Sequence, residues 1–156
     1  MPVTRRRRIV PAVPAVVWQT VADPHQLPRW WPRVERVEGV DGRGFTEVLR
    51  SQKGAIVRAD FRIGARHKPQ AISWAQDLDG TPFAKLLRAA ETQVRLKPAG
   101  AGATEVEVRL DQRLQGVSRL GGFLVRRAAR KQLDAALAAL VELYGGDPDP
   151  RAAPPS

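Results

Sequence analysis

The chain has 156 residues, 43% of them hydrophobic, with 26 Lys and Arg against 16 Asp and Glu and no cysteine. That length suits one domain with a real core. The missing cysteine excludes disulfides, thiol catalysis and Cys-ligated metals, and it fits a reducing, cytoplasmic setting. No stretch approaches the ~20 uninterrupted apolar residues of a membrane-spanning helix.

The net charge of +10 raises nucleic acid, an anionic membrane surface or an acidic ligand as partners. The basic residues are mostly Arg, are spread over several predicted elements, and accompany abundant Ala, Gly and Pro. Such dispersion favours a compositional origin, with peripheral contact to an anionic membrane still open and nucleic acid a lesser alternative.

The first strand is expected at about Thr4 to Val10. Arg5 to Arg8 followed by Ile9 to Val17 also mimics the basic and apolar regions of a signal peptide. Pro11 and Pro14 interrupt any helix there, which argues for the strand. A short helix opens at Pro14, carries Val17, Trp18 and Val21 on one side, and stops near Asp23-Pro24. A second short helix runs into Trp30-Trp31-Pro32. Strands follow at Val34 to Val40 and Gly44 to Ser51, joined by the turn signal Asp41-Gly42.

The fourth strand spans Ala55 to Ala65, where Val57, Ala59, Phe61 and Ile63 alternate with Ile56, Arg58, Asp60 and Arg62. Period-2 alternation marks a strand with one wet and one buried face. The fifth spans Ala71 to Asp77, with Ile72 and Trp74 on one face, and ends in the turn Asp79-Gly80-Thr81-Pro82. The sixth covers Ala84 to Lys97 and the seventh Thr104 to Leu114, where Val106, Val108 and Leu110 alternate with charged residues. Short connections between successive strands imply an antiparallel sheet. A long helix from about Ser118 to Tyr144 carries Leu133, Leu137, Leu140, Val141 and Tyr144 on one stripe, and Gly145-Gly146 stops it. Residues 1–145 thus read as one domain, and 146–156, rich in Pro, Gly and Ala, as a disordered tail.

This order of elements, with the Val10 to Val40 opening that holds Trp18 and Trp30-Trp31-Pro32, resembles the START-like, or SRPBCC, superfamily, which includes polyketide cyclases and lipid-binding proteins. The resemblance runs from about Arg6 to Tyr144. It implies an α+β helix-grip fold: a curved seven-stranded antiparallel sheet around the long C-terminal helix, with two short helices between strands 1 and 2. It also implies an internal cavity between sheet and helix. The expected function is binding of a hydrophobic small molecule there, whether lipid, isoprenoid or polyketide-like. One alternative is an enzyme of the polyketide cyclase or aromatase type; a second is a basic RNA- or ribosome-associated module. No cofactor is implied, and an exposed sheet edge leaves monomer and homodimer both open.

Candidate ligand-binding residues come from the expected inner faces. Trp30 and Trp74 are aromatic walls of the kind apolar pockets use, and Val57 and Phe61 share the inner face of the fourth strand. On the sixth strand Leu86, Ala90, Val94 and Leu96 set the inward parity, which Arg88 and Thr92 share. Leu110 and Gln112 follow Val108 inward on the seventh. Burying an unpartnered guanidinium is costly, so Arg88 meets a carboxylate, escapes to solvent at a strand end or faces a ligand, or else a β-bulge turns it outward. Phe123, Arg126 and Arg130 lie on the first half of the long helix, which in the family spans the pocket opening. Both arginines then hold a ligand's polar end, or the helix end overhangs the sheet and leaves them in water.

The two histidines, His25 and His67, belong to no ligand-spaced cluster, so no metal site is expected. No phosphate-binding glycine loop appears. The lone tyrosine, Tyr144, sits near a helix end, Asp60 points outward and Asp77 lies at a strand end, so no catalytic residue is assigned.

Overall fold

The computed structural model describes residues 3–51, 53–85, 87–116 and 119–149. The chain begins as strand β1 (Val3–Val10) and continues with helix α1 (Pro14–Val21), a 3-10 turn (Pro24–Gln26) and helix α2 (Leu27–Trp30). Strands β2 (Val34–Glu38), β3 (Gly44–Arg50), β4 (Ile56–His67) and β5 (Ala71–Asp77) follow. A 3-10 turn (Pro82–Lys85) leads to β6 (Leu87–Pro98), β7 (Thr104–Leu114) and helix α3 (Arg119–Leu143). The seven strands form one antiparallel sheet in the order β1-β7-β6-β5-β4-β3-β2. This is the α+β helix-grip arrangement, with the short helices between β1 and β2.

Local chemistry explains the elements. Pro14 occupies the first turn of α1, where no backbone N–H is needed. The helix buries Val17, Trp18, Thr20 and Val21. The Asp23 carboxylate accepts from the His25 backbone N–H at 3.0 Å and starts the 3-10 turn. Between β2 and β3 the Asp41 carboxylate accepts from the N–H groups of Arg43 and Gly44, at 2.7 and 2.9 Å. These bonds hold its pKa below the usual carboxylate range. At the end of α3, Gly145 takes φ +80°, its N–H bonds to the Glu142 carbonyl, and the Gly146 N–H bonds to that of Val141. This pair of bonds is the Schellman stop that the two glycines promised.

The core lies between the concave sheet face and α3. Val94, Leu96, Val106, Val108 and Leu110 of β6 and β7 meet Ala129, Leu133, Ala136, Leu137, Leu140 and Val141 of α3, all buried. Helix α3 packs on β1, β7 and α2. On its N-terminal part Phe123, Leu124, Arg126 and Arg130 are exposed, while Ala129 is buried. At the other end Thr20 Oγ1 and Tyr144 Oη lie 2.5 Å apart, tying α1 to the end of α3.

Several boundaries differ from expectation. β6 starts at Leu87 rather than Ala84, because Pro82–Lys85 forms a helical turn. β4 extends to His67 and β2 stops at Glu38. Leu86, the proposed helix start Ser118, and residues 150–156 of the expected tail lie outside the described residues. Residues 147 and 148 of that tail are held by Arg8, whose guanidinium donates to their carbonyls at 3.1 and 3.2 Å.

Three bulges bend the sheet. They fall between Val34 and Arg36, between Ile63 and Arg66, and between Leu87 and Ala89. An extra residue in one strand bends it and raises its twist, which is what a sheet needs to curve around a helix. At the second bulge the Ser73 hydroxyl accepts from the Ala65 N–H at 3.0 Å.

Candidate functional site

A cavity of about 210 Å³ opens between the concave face and α3. Its walls are Trp31, Leu49, Ala59, Phe61, Trp74, Leu87, Ala90 and Leu110, with Glu47, Gln76, Thr92, Gln112 and Gln132 as the polar members. Its aromatic side is built by ring contacts. Trp31 meets Trp74 edge-on at 6.0 Å, Trp74 meets Phe45 at 6.2 Å, and Phe45 stacks on Phe61 at 5.3 Å. Such pairs favour these offset and edge-to-face geometries. A larger groove, about 620 Å³, lies against Arg7, His67, Arg95, Lys97, Glu105 and Glu107. It is polar and open, and two of its charges, Arg7 and Glu107, pair with each other at 3.1 Å.

Of the residues expected at a ligand site, Phe61, Trp74, Thr92, Leu110 and Gln112 line the cavity. Trp30 does not. It is 2% exposed and packs edge-on behind Trp31, at 5.3 Å, and Trp31 takes the place at the wall. The reason is local: α2 ends at Trp30, and Trp31, as its C-cap, adopts an extended backbone.

Val57 shares the parity of Ala59 and Phe61 and pairs with Leu49, but it lies beyond the cavity and is half-buried. Arg88 is exposed and donates from Nε to Gln115 at 3.1 Å. The bulge between Leu87 and Ala89 is the cause: it leaves Arg88 without a β7 partner and brings Leu87 to the cavity wall instead. Phe123, Arg126 and Arg130 are not among the described residues that line this cavity; all three are exposed on the N-terminal part of α3. From α3 the cavity receives Gln132.

Glu47 is the residue that sequence reasoning missed. It lies on β3 between Val37 of β2 and Ala59 of β4, is 2% exposed, and lines the cavity. Among the described residues its carboxyl has no hydrogen bond and no ion pair. Burial alone pushes its pKa up to about 8, since desolvation disfavours the charged form. Its signal was present in the alternation of Phe45, Glu47 and Leu49 against Thr46, Val48 and Arg50. Gln112 Oε1 is likewise buried without a partner among the described residues.

The other acidic groups near β3 behave differently. Glu35 bonds to Arg50, and Glu38 to Arg36 and Arg58 at 2.9 and 2.6 Å, and these bonds hold both carboxyls below the usual range. Asp60 faces away from the cavity and accepts from Thr46 Oγ1 at 2.6 Å. The run Arg5 to Arg8 is drawn into β1. Arg6 pairs with Asp134 at 3.2 Å, Arg7 with Glu107, and Arg8 with the carbonyls beyond α3. Among the described residues no three His, Asp or Glu side chains gather as metal ligands, and no helix is long and apolar enough to cross a membrane.

Comparison with solved structures shows the same architecture elsewhere. The protein XoxI from Bacillus cereus superposes with a TM-score of 0.75 at 16% identity, covering 92% of this chain and 96% of that one. A START superfamily protein from Mycobacterium smegmatis gives 0.74 at 15% identity, over 91% and 96%. BexL, a di-domain ARO/CYC protein of the BE-7585A biosynthetic pathway, gives 0.76 at 21% identity; 91% of this chain covers 46% of BexL. At such identities the likeness is one of fold. No curated protein matches the sequence. Residues 1–145 match the family described as polyketide cyclase / dehydrase and lipid transport, and with that match and the START-like sheet and helix the chain belongs to this family.

Proposed function

We propose that the protein binds a compact hydrophobic molecule in the cavity between the sheet and α3. The observation that carries this reading is the cavity itself: eight apolar or aromatic walls and a few inward polar groups on a rigid sheet. Ligand sites combine apolar walls with a small number of placed polar groups in this way. At about 210 Å³ the space falls below the ~300–1,000 Å³ of sites for drug-sized ligands. A one- or two-ring molecule or a short isoprenoid suits it better than a two-chain lipid. Arg88, Arg126 and Arg130, away from the cavity, have no part in orienting such a ligand; Glu47, Thr92 and Gln112 take that role. The pairing of Arg6, Arg7 and Arg8 within the fold supports this reading over a phosphate-binding strip. The absence of cysteine fits a cytoplasmic setting.

The test is native mass spectrometry of freshly purified protein, joined to calorimetric titration with naphthol. A discrete apolar adduct or saturable one-to-one binding is expected. Ala90→Leu, which pushes an isobutyl group into the cavity, should abolish binding while leaving the fold intact. Binding unaffected by Ala90→Leu would refute the assignment.

A second reading is an enzyme that acts on the same bound molecule, as the family description allows. The observation in its favour is Glu47, a buried carboxyl with pKa about 8. A group poised near neutral pH both gives and takes protons efficiently. Slow conversion of a bound ketone substrate that is lost in Glu47→Gln would favour this reading.

A further inference from the structure

We infer that the molecule held in the cavity is an amine, bound as its ammonium ion with Glu47 as counter-ion. This inference rests on the cavity-binding reading above and names the chemistry of its ligand.

Among the described residues the cavity lining holds one ionisable side chain, Glu47, and no Arg, Lys or His. The strands packed on Glu47 present Val37 and Ala59 beside it. Across the cavity β5 presents Trp74 and Gln76, β6 Leu87, Ala90 and Thr92, β7 Leu110 and Gln112, α3 Gln132, and the end of α2 Trp31. None of these titrates near neutrality. A carboxylate or phosphate ligand would therefore meet a lone acid with no counter-cation, at a prohibitive cost.

The cavity is also rich in unused acceptors. Gln112 Oε1 is buried without a partner among the described residues, and burial, with no hydrogen bond or opposite charge against it, is what acts on the Glu47 carboxyl. Buried polar groups in folded proteins are nearly always satisfied, so exceptions call for a missing donor. A primary ammonium supplies N–H donors to the Glu47 carboxylate; Gln112 stands on β7, four strands away from β3 in the sheet. The remaining walls suit it as well, because Trp31, Trp74 and Phe61 line the same space and ring faces attract cations. A hydrocarbon body would fill the space against Leu87 and Ala90 of β6 and Leu110 of β7.

Proton balance gives the inference a signature. In the free protein Glu47 carries its proton at neutral pH. An incoming ammonium ion displaces it: the carboxyl O–H ionises, the proton leaves to buffer, and the carboxylate accepts N–H bonds from the ligand. Binding at pH 7 thus releases close to one proton per site. Amine affinity then rises by up to about tenfold per pH unit below pH 8 and levels off above it.

The experiment is calorimetric titration with three probes on one skeleton: naphthylmethylamine, naphthylmethanol and naphthoate. Each is titrated in buffers of different ionisation enthalpy. The amine should bind most tightly, with proton release, and the naphthoate most weakly. Glu47→Gln should lower amine affinity by about tenfold or more, and by a larger factor than it lowers that of the alcohol. Equal affinity for alcohol and amine without proton release would overturn the inference while leaving cavity binding standing. Failure of all three probes, together with an empty native mass, would remove the cavity reading and this inference with it. Even if Glu47→Gln fails to fold, the unmutated protein tests the inference by its proton count taken together with its preference for the amine over the alcohol and the naphthoate.

Discussion

The buried carboxyl of Glu47 makes a direct prediction for stability. In the unfolded chain it ionises with the usual pKa of 4.5, whereas in the fold burial raises that value to about 8. Between these values the folded state keeps a proton that the unfolded state has released. The folded state therefore binds more protons, and stability falls as pH rises through the window. Each pH unit costs about 1.4 kcal/mol, so the full window from 4.5 to about 8 costs about 5 kcal/mol. That is a large share of the ~5–15 kcal/mol of an ordinary domain. The effect is complete above pH 8 and absent below 4.5.

Glu47→Gln has nearly the same shape and no charge. It should match the unmutated protein near pH 5 and exceed it by about 3–5 kcal/mol at pH 8. The assay is urea unfolding of ligand-free protein at four pH values from 5 to 8. Tryptophan emission is a suitable probe, because Trp18, Trp30, Trp31 and Trp74 are all buried. The paired carboxyls of Glu35 and Glu38 and the capped Asp41 have lowered pKa values. Their contributions are present above the unfolded value and fade only as pH falls below it, outside this window. Parallel stability profiles for the two proteins would refute the reasoning, since they would mean that the Glu47 carboxylate is solvated in the fold.

Two further substitutions test the geometry around the cavity. Gly44→Ala places a Cβ 2.2 Å from the Phe61 carbonyl oxygen, a backbone atom that cannot yield without moving β4. It should destabilise the protein by about 1–3 kcal/mol, the range of overpacking strain, and lower the midpoint of thermal unfolding. Arg88→Ala removes an exposed side chain bonded to Gln115. It should change stability by less than about 0.5 kcal/mol and leave naphthol affinity unchanged in the calorimeter; a tenfold loss would show that Arg88 reaches the cavity.

What could be read in the sequence divides along physical lines. The strands of β7 and the inner face of β6 beyond the bulge were legible because alternation reports burial directly: Val106, Val108 and Leu110 face the core as their spacing requires. Arg88 was not, because one inserted residue inverts the parity of everything before it, and a bulge leaves no residue-type signature there. Arg126 stands seven residues before the fully buried Leu133, so it falls close to the same helical face. Periodicity fixes a face but not the place where the sheet beneath it ends. Trp30 and Trp31 are adjacent and alike, and only the end of α2 decides which one reaches the cavity. Glu47 shares the parity of Phe45 and Leu49, but a charged residue is ordinarily expected in water.

That expectation is what gives Glu47 its weight. A glutamine or leucine would sit between Val37 and Ala59 without the desolvation that the carboxylate suffers, and by linkage the protein would gain several kcal/mol at pH 8. A perturbed acid inside a cleft is a functional-site candidate on that ground. The unfolding profile and the calorimetric proton count also measure one and the same proton. If unfolding below pH 8 releases it, an ammonium ligand that ionises Glu47 must release it too; if the stability profile is flat, Glu47 is already ionised and amine binding can release none. The two experiments therefore stand or fall together as measures of the apo protein, while the preference for amine over alcohol remains a separate statement about the ligand. A pH-dependent stability with no preference among the probes would leave Glu47 as a buried acid in a cavity of another chemistry. A sloped profile joined to amine-specific proton release would make it the residue that selects the ligand.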